Sequence, residues 1–432
     1  MRTNGYREDA DTIPLRRWPV TAAWGRGTRA ALAADALMTE HAEVVIVGGG
    51  VVGCSAAWHL RQDGFKGRIL VIERDPSYQH ASSYLAMGGI RQQFCTPVTV
   101  RMVQFSVALW KKFDQTLGTP MKRPHAWFRQ RGYLFLANGA TSTALTKRYH
   151  EEKNAGATVR MVAVDELRQM LPGVMLDDIL FGVLGEEDGY ANPREVLAGF
   201  RAGAELAGAE FLVDEVTAIE HTQGQVKGVR LASGTRVSTP IVVNAAGPWA
   251  GRVAALAGLK VPVEPMRQML FRCTLPSAWP YRFPMLIDPG GVHWRHDDAS
   301  EPGGPDKIIL AFTNWSEEIG ENFAADEARW QKDFYPAMVN RVPQLRDVTD
   351  VNGWSGLYEM TPDHNPVLGP HPDLSGFIFA NGFSGHGLMM SPATGKIVSE
   401  FVRLGRSETF DVNIFAPDRF ERGALVHDAA TI

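Results

Sequence analysis

Cysteine is scarce in this chain of 432 residues, and its scarcity narrows the chemistry available. The three cysteines are Cys54, Cys95 and Cys273, an odd number without a Cys-x-x-Cys pair. This spacing favours neither a disulfide framework nor a thiolate metal site. We therefore expect free thiols, no bound metal and a reducing compartment, the cytoplasm.

The sequence also lacks an excess of either charge and a long apolar run. Its 44 basic and 48 acidic residues leave a formal net charge of −4, which gives no general attraction for nucleic acid or anionic membranes. No apolar run approaches the roughly 18 residues needed to span a bilayer. We expect a soluble protein with no nucleic-acid partner, no membrane span and only local charge recognition.

Residues 1–41 lack a sustained helix or strand period, which predicts a poorly ordered N-terminal extension. The pair Arg16 and Arg17 is not followed by the apolar core of an export signal. Met38 offers an alternative natural start, which would leave residues 1–37 outside the natural protein and place the first strand a few residues from the terminus.

The most informative stretch is EVVIVGGGVVG at residues 43–53. A short apolar run that ends at glycines is typical of a buried parallel strand. Gly48 allows a tight turn, Gly50 lets the backbone approach a pyrophosphate, and Gly53 lets the next helix pack close to the strand. The helix that follows would direct its N-terminal amides at the diphosphate.

A second strand, Ile69 to Ile72, leads into Glu73. A carboxylate at the end of this strand is placed to accept hydrogen bonds from ribose hydroxyls and to repel a 2′-phosphate. Strand, glycine turn, helix and acid together predict a dinucleotide site, although the motif does not distinguish NAD from FAD.

Later segments repeat the small-residue character. ASSYLAMGGIRQQF brings Arg91 close behind glycines, IVVNAAGPWA resembles another buried strand with a tight turn, and GFSGHGLMM precedes a helix that we expect Ser391 and Pro392 to open. Residues 267–313 read as antiparallel strands. Alternation there would send His293 and Arg295 to one face and Trp294 to the other, and either face could be core.

Over residues 42–415 these motifs, in this order, resemble the flavin-dependent amine and amino-acid oxidoreductases of the D-amino-acid oxidase, glycine oxidase and sarcosine oxidase type. The resemblance implies an α/β fold. In it, a Rossmann-type FAD-binding domain like that of glutathione reductase is interleaved with a substrate domain built on an antiparallel sheet.

The resemblance also implies a division of the chain. After the N-terminal extension, residues 42–118, 186–265 and 352–415 would form the FAD-binding domain. Residues 119–185 and 266–351 would form the substrate domain, and residues 416–432 a C-terminal tail.

Individual roles follow from the same resemblance. Arg91 would grip a substrate carboxylate and Tyr358 would border the same pocket. The cofactor-binding residues would be Gly48, Gly50, Val52, Gly53, Glu73, Arg74, Ser82, Ser83, Gly88, Gly89, Val216, Ala246, Gly247, Trp249, Gly385, His386, Gly387, Leu388 and Met389.

The chain departs from the family at the positions that tether flavin or activate oxygen. Gly356 replaces the cysteine, and Leu85 the histidine, to which FAD is covalently attached in different branches. Met389 and the region of Ile309 replace two lysines of the oxidase branch. We therefore expect non-covalent FAD and slow reaction with oxygen, with a quinone or an electron-transfer partner as the main acceptor.

The expected reaction is oxidation of a sarcosine-like secondary amine or amino acid bearing a carboxylate. Hydride transfer to flavin N5 would give an imine that water hydrolyses. Two alternatives stay open. One is a flavin-dependent 2-hydroxy-acid dehydrogenase, which needs a base near the flavin. The other is an FAD-binding assembly factor or a subunit of a hetero-oligomeric oxidoreductase, because SSYLAMGGIRQQF also resembles a mitochondrial flavoprotein that helps to assemble respiratory complex I.

Overall fold

The structure is a computed structural model and describes residues 39–117, 126–297 and 306–429. Of the predicted N-terminal extension, residues 1–41, the first 38 residues and with them the alternative start at Met38 lie outside the described residues, whereas Thr39–His41 form a strand, so the expected absence of a strand was wrong there. Within the described ranges, no helix combines the length and the apolar character that crossing a membrane requires.

The strands, in chain order, are β1 Thr39–His41, β2 Val44–Val47, β3 Ile69–Glu73, β4 Gly89–Ile90, β5 Tyr133–Asn138, β6 Arg160–Ala163, β7 Ile179–Gly185, β8 Gly189–Tyr190, β9 Glu210–Val213, β10 Val216–Thr222, β11 Gln225–Leu231, β12 Arg236–Ser238, β13 Val242–Asn244, β14 Glu264–Thr274, β15 Met285–Ile287, β16 Val292–His296, β17 Lys307–Phe312, β18 Thr349–Met360, β19 Val367–His371 and β20 Leu374–Asn381.

The α-helices are α1 Val51–Gln62, α2 Ser82–Leu85, α3 Pro97–Trp110, α4 Phe113–Thr116, α5 Ser142–Asn154, α6 Val164–Met170, α7 Pro193–Leu206, α8 Ala250–Ala255, α9 Tyr335–Arg341 and α10 Gly387–Leu404. A π-helical turn, Trp330–Phe334, leads into α9. Short 3-10 turns cover Gly247–Trp249, Pro343–Leu345, Asn413–Phe415 and Pro417–Arg419.

The first sheet has a parallel centre in the order β20, β13, β2, β3 and β9. The first predicted strand is therefore buried between β13 and β3, which explains why every residue of β2 is apolar and buried. The hairpin strands β10, β11 and β12 extend the β20 side of the sheet, with β1 beyond them. This confirms the Rossmann-type α/β architecture.

The second sheet has the order β18, β14, β17, β16, β15, β5, β7 and β6. Its pairs are antiparallel except for β15 and β5, which run parallel. β18 pairs with β14 along most of its length and so crosses the predicted domain boundary at residue 352. The division of the chain into domain segments stays a prediction.

Helices α1 and α10 pack closely because a glycine lies at their crossing. A Cβ on Gly395 would lie 2.4 Å from Ser55 Oγ and 2.5 Å from His59 Nδ1. The Ser55 hydroxyl donates to the Ser391 carbonyl at 2.8 Å. This close contact fixes the two helices, and with them their N-termini, relative to each other.

The predicted start of α10 was wrong by four residues. The helix begins at Gly387, and Pro392 lies inside it. Proline cannot donate to the carbonyl four residues earlier, but the Ser391 hydroxyl donates to that carbonyl, Leu388 O, at 2.8 Å. The neighbouring serine thus satisfies the acceptor that Pro392 leaves open.

Candidate active site

One cavity of about 890 Å³ is lined by residues of both sheets. Its volume lies at the upper end of the ~300–1,000 Å³ typical of ligand sites. Residues at the starts of α1 and α10, from Val51 and Gly387, line its wall. Neither N-cap residue, Gly50 or His386, satisfies the first amides with its own side chain. Two positive helix ends therefore favour anionic or electron-rich groups in this cavity.

The glycine turn before α1 has the shape that a dinucleotide needs. Gly48 has a φ of +102°, and a Cβ there would lie 2.5 Å from the Ala245 carbonyl oxygen. A Cβ on Gly53 would lie 2.0 Å from Gly48 O, so only glycine permits this turn to meet the helix. At Gly50 a Cβ would meet only Ser83 Oγ, at 3.6 Å, which leaves room for a pyrophosphate.

Glu73 lies at the carboxyl end of β3 and braces the same turn. Its two oxygens accept hydrogen bonds from the backbone N–H groups of Gly49 and Asp75, both at 2.8 Å. Burial raises the pKa of Glu73, while these two donors act in the opposite direction. The carboxylate is thus fixed at the cavity wall, where a ribose would be recognised.

The predicted site residues lie together. Apart from Gly53, which packs behind the turn, each one lines this cavity, and so do Leu85 and Gly356. A Cβ on Gly356 would lie 3.1 Å from Leu85 Cβ, so the two positions from which a non-covalent flavin was predicted are neighbours. The assignment of individual residues to FAD or substrate stays a prediction.

Arg91 is a buried cation in the cavity wall, with 1% of its surface exposed. Its guanidinium donates to the Gln93 carbonyl and to His386 Nε2, the latter at 3.2 Å, and its Cζ lies 4.3 Å from the centre of the Phe94 ring. A guanidinium has no lone pair, so His386 Nε2 must be the acceptor. Burial, followed by the charge of Arg91, holds the pKa of His386 well below its usual value.

The second sheet supplies the opposite wall, which includes the polar residues Tyr133, Gln268, His293, Tyr358 and Glu359, with Thr313 just beyond β17. Trp294 faces away into the apolar core of this sheet. The predicted alternation of His293 and Trp294 is confirmed, and the structure decides which of them faces the cavity. Arg295 does not line the cavity. Its guanidinium donates to the carbonyls of Met87 and His296, at 2.8 and 2.7 Å.

Glu359 is a cavity residue that sequence reasoning missed. Its carboxylate accepts from the Gly382 N–H at 2.9 Å, and Oε1 would lie 3.4 Å from a Cβ on Gly387 at the start of α10. Burial raises the pKa of Glu359 to about 7, against the lowering effect of the Gly382 and Phe383 amides. Its position directly after Tyr358 in a strand that ends at the cavity was the available signal.

A second overlooked acid, Asp188, lies behind the Arg91 loop. It is fully buried and accepts from the Gln92 N–H at 3.1 Å. Burial raises the pKa of Asp188 to about 8.

Within the described ranges no group of three or more His, Cys, Asp and Glu side chains is arranged to hold a metal ion.

A parallel sheet that directs two helix N-termini towards one cavity, closed by a second sheet, is typical of an oxidoreductase that binds a dinucleotide. The chain belongs to the family of FAD dependent oxidoreductases abbreviated DAO, whose model matches residues 43–401. The glycine cradle and the size of the cavity fit this cofactor.

The chain is similar to the "FAD-dependent oxidoreductase domain-containing protein 1" of Xenopus laevis, with 32% identity over 89% of this chain and 83% of that protein. The Bos taurus protein of the same name is 31% identical over 90% and 86%. Mitochondrial sarcosine dehydrogenase of Homo sapiens is 26% identical, and the match covers 96% of this chain but 45% of that protein.

Solved structures show the same fold. L-Proline dehydrogenase from P. horikoshii has 28% identity and a TM-score of 0.80, and the match covers 90% of this chain and all of that one. Glycine oxidase from Geobacillus kaustophilus has 23% identity and a TM-score of 0.76, covering 88% and 99%.

Replacement of Glu359 by glutamine should change how stability depends on pH. Because the folded chain holds the Glu359 proton up to a pKa of about 7, whereas the ordinary value is 4.5, stability should fall as pH rises through this window and level off above it. We compare the free energy of unfolding of Glu359→Gln with that of wild type, both freed of FAD. This difference should favour the variant by up to about 3 kcal/mol more at pH 8 than at pH 5. Denaturant unfolding at both pH values measures the difference.

The exposed Glu187 offers a matched control, because Glu187→Gln should leave the difference between pH 5 and pH 8 unchanged. An equal effect of Glu359→Gln at the two pH values would show that Glu359 is ionised throughout.

Proposed function

We propose that this protein oxidises a secondary amine or amino acid that carries a carboxylate, a CH–NH donor. The observation that carries the proposal is Arg91, a buried guanidinium in the wall of the FAD cavity. A planar guanidinium pairs with a carboxylate through two parallel hydrogen bonds. The aromatic rings of Phe94 and Tyr133 lie 4.3 and 6.0 Å from its Cζ and exclude water from this pair.

The residues of the chain would bind and orient the substrate. Arg91 holds the carboxylate, and the wall formed by the second sheet directs the substrate C–H towards the bound cofactor. FAD supplies the oxidising chemistry, because it accepts the hydride from this C–H. The substrate also loses its N–H proton to solvent and becomes an imine, which water hydrolyses.

Relatives support the substrate class by name. L-Proline dehydrogenase, glycine oxidase, sarcosine dehydrogenase and dimethylglycine dehydrogenase are each named for an amino acid or an N-methylated amino acid. These names describe those proteins.

A cytoplasmic location is likewise a proposal, supported by the free thiols of Cys54, Cys95 and Cys273.

The 2-hydroxy-acid alternative is less well supported. An alcohol must lose its O–H proton to a base as the hydride leaves. The histidine in the wall formed by the second sheet, His293, has its pKa lowered by burial to about 4 and is a weak base, and Nε2 of the cavity residue His386 already accepts a hydrogen bond from Arg91. Product analysis separates the reactions, because only amine oxidation releases ammonia or a smaller amine.

A role as an assembly factor or subunit would be favoured by a copurifying partner and the absence of turnover.

Arg91→Lys should impair substrate binding and leave FAD bound. Lysine keeps the charge but loses the two-pronged geometry, so we expect kcat/KM for flavin reduction by the best substrate to fall at least ~100-fold. Anaerobic stopped-flow absorbance measures it. Arg101→Lys, on an exposed position of α3, is the control and should behave as wild type. An unchanged rate in Arg91→Lys would remove Arg91 from the substrate site.

FAD should be bound without a covalent link. Gly356 and Leu85 both lie at the cavity, and neither side chain has an atom that can bond to flavin. Acid precipitation should therefore release all of the yellow colour. Flavin fluorescence that stays with the denatured polypeptide would contradict this expectation.

The arrangement of charges supports a dehydrogenase. The cationic side chains among the described lining residues are Arg74, Arg91 and Arg252. Arg74 lies over Trp249 at 4.2 Å and Arg252 pairs with Glu321, and a bound carboxylate would neutralise Arg91. Arg295 and Lys307 do not line the cavity. Oxygen reduction passes through an anion that a nearby cation stabilises, so a quinone or an electron-transfer partner is the proposed acceptor, with oxygen as a slow one.

Reduced enzyme should therefore react with oxygen more slowly than it turns over with an artificial quinone. Met389→Lys would place a cation at the cavity wall and should accelerate reoxidation by oxygen ~5-fold or more, because one charge a few ångströms away is worth at least ~1 kcal/mol. Met389→Leu is the uncharged control. Stopped-flow mixing with oxygen decides, and wild-type reoxidation as fast as turnover would identify an oxidase.

A further inference from the structure

His293 has a defined tautomer because of the turn that precedes it. Its Nδ1 lies 3.0 Å from the Gly291 carbonyl oxygen. A carbonyl only accepts, so Nδ1 carries the hydrogen and Nε2 carries the lone pair. The turn is itself anchored, because Asp288 accepts from the Gly290 N–H at 2.9 Å and from Arg341 Nε at 2.6 Å.

The Nε2 lone pair is available to a ligand. His293 lines the cavity from β16, and its Nε2 atom is accessible from the cavity and is not sealed in the protein interior. No side chain or backbone group of the described residues hydrogen-bonds to it. Burial, assisted by the charge of Arg91, lowers the pKa of His293 to about 4, so the ring is neutral at neutral pH and accepts a hydrogen bond without taking a proton.

Two other polar side chains of the cavity, those of Gln268 and His386, already have hydrogen-bond partners. Gln268 exchanges hydrogen bonds with the Asn314 backbone, Oε1 accepting at 2.9 Å and Nε2 donating at 3.3 Å. His386 Nε2 accepts from Arg91. The hydroxyls of Tyr133 and Tyr358 each carry a hydrogen of their own to donate.

We infer that His293 accepts a hydrogen bond from an N–H of the substrate and makes the site selective for primary and secondary amines over N,N-dialkylated ones. The inference rests on the proposed function and names the substrate class more closely. A tertiary amine has no N–H and would leave the Nε2 acceptor dehydrated and unpaired. Sites built around a hydrogen bond reject analogues that lack it more strongly than apolar pockets reject a methyl group.

Two carboxylates that cannot be oxidised test the inference by binding alone. Pyrrole-2-carboxylate carries a ring N–H, and furan-2-carboxylate has the same shape with a ring oxygen in its place. FAD-loaded wild-type protein, titrated while the flavin absorbance is followed, should bind the pyrrole at least ~10-fold more tightly, the cost of leaving one acceptor unpaired. In His293→Leu the two affinities should agree within about twofold.

The exposed His221 provides the control, and His221→Leu should keep the wild-type preference. Turnover gives a second measure: wild type should favour an N-methyl over an N,N-dimethyl amino acid in kcat/KM, and His293→Leu should lose this preference. If His293→Leu does not fold, His293→Phe, which also lacks the Nε2 acceptor, takes its place, and equal wild-type affinities would overturn the inference in any case.

The outcomes separate the two proposals. Equal wild-type affinity for the two rings would overturn the role of His293 and leave the carboxylate site intact. If neither ring binds, or if Arg91→Lys binds both as well as wild type, the carboxylate site fails and the inference fails with it.

Discussion

The site depends on the contact between α1 and α10. Both helices begin at the cavity, one at the glycine turn and the other after the Gly385 to Gly387 loop, and their crossing at Gly395 leaves no room for a side chain. Below the crossing, Asp63 accepts from Lys396 at 3.0 Å and Ser399 at 2.7 Å, which fixes the helices along their length. Because the helices cannot slide, their two positive ends keep a fixed separation along a bound dinucleotide.

The second sheet places groups of a different kind against this frame. Its inner face brings an uncharged acceptor, His293, and hydroxyl groups to the cavity, whereas the loop before α3 contributes the Arg91 cation. A carboxylate and an N–H group attached to the same carbon would match this pair in charge and in hydrogen-bonding sense. Under the proposed function, affinity and selectivity would therefore come from two chain segments that are distant in sequence.

Local patterns predicted much of this arrangement. The alternation in β16 correctly set Trp294 opposite His293, and the glycine spacing correctly placed the turn before α1, because both features depend on neighbouring residues. The start of α10 was missed because Pro392 reads as a helix start, and only the Ser391 hydroxyl bond to Leu388 makes proline tolerable inside the helix. Glu359 was missed because its place after Tyr358 indicates only that it lies near the cavity, whereas the burial of its carboxyl beside Gly382 and Gly387 depends on a segment that is remote along the strand order.

The sequence by itself determined the nucleotide-binding unit, the family and the identity of Leu85 and Gly356, from which a non-covalent flavin is predicted. Each of these features depends on the identity and spacing of residues within a short segment. Only the tertiary structure decided which face of β16 meets the cavity, which nitrogen of His293 carries the hydrogen, and that Leu85 and Gly356 are neighbours. These features depend on which strands pair and on burial by remote segments, and burial sets the local dielectric that shifts the pKa values of His293 and Glu359.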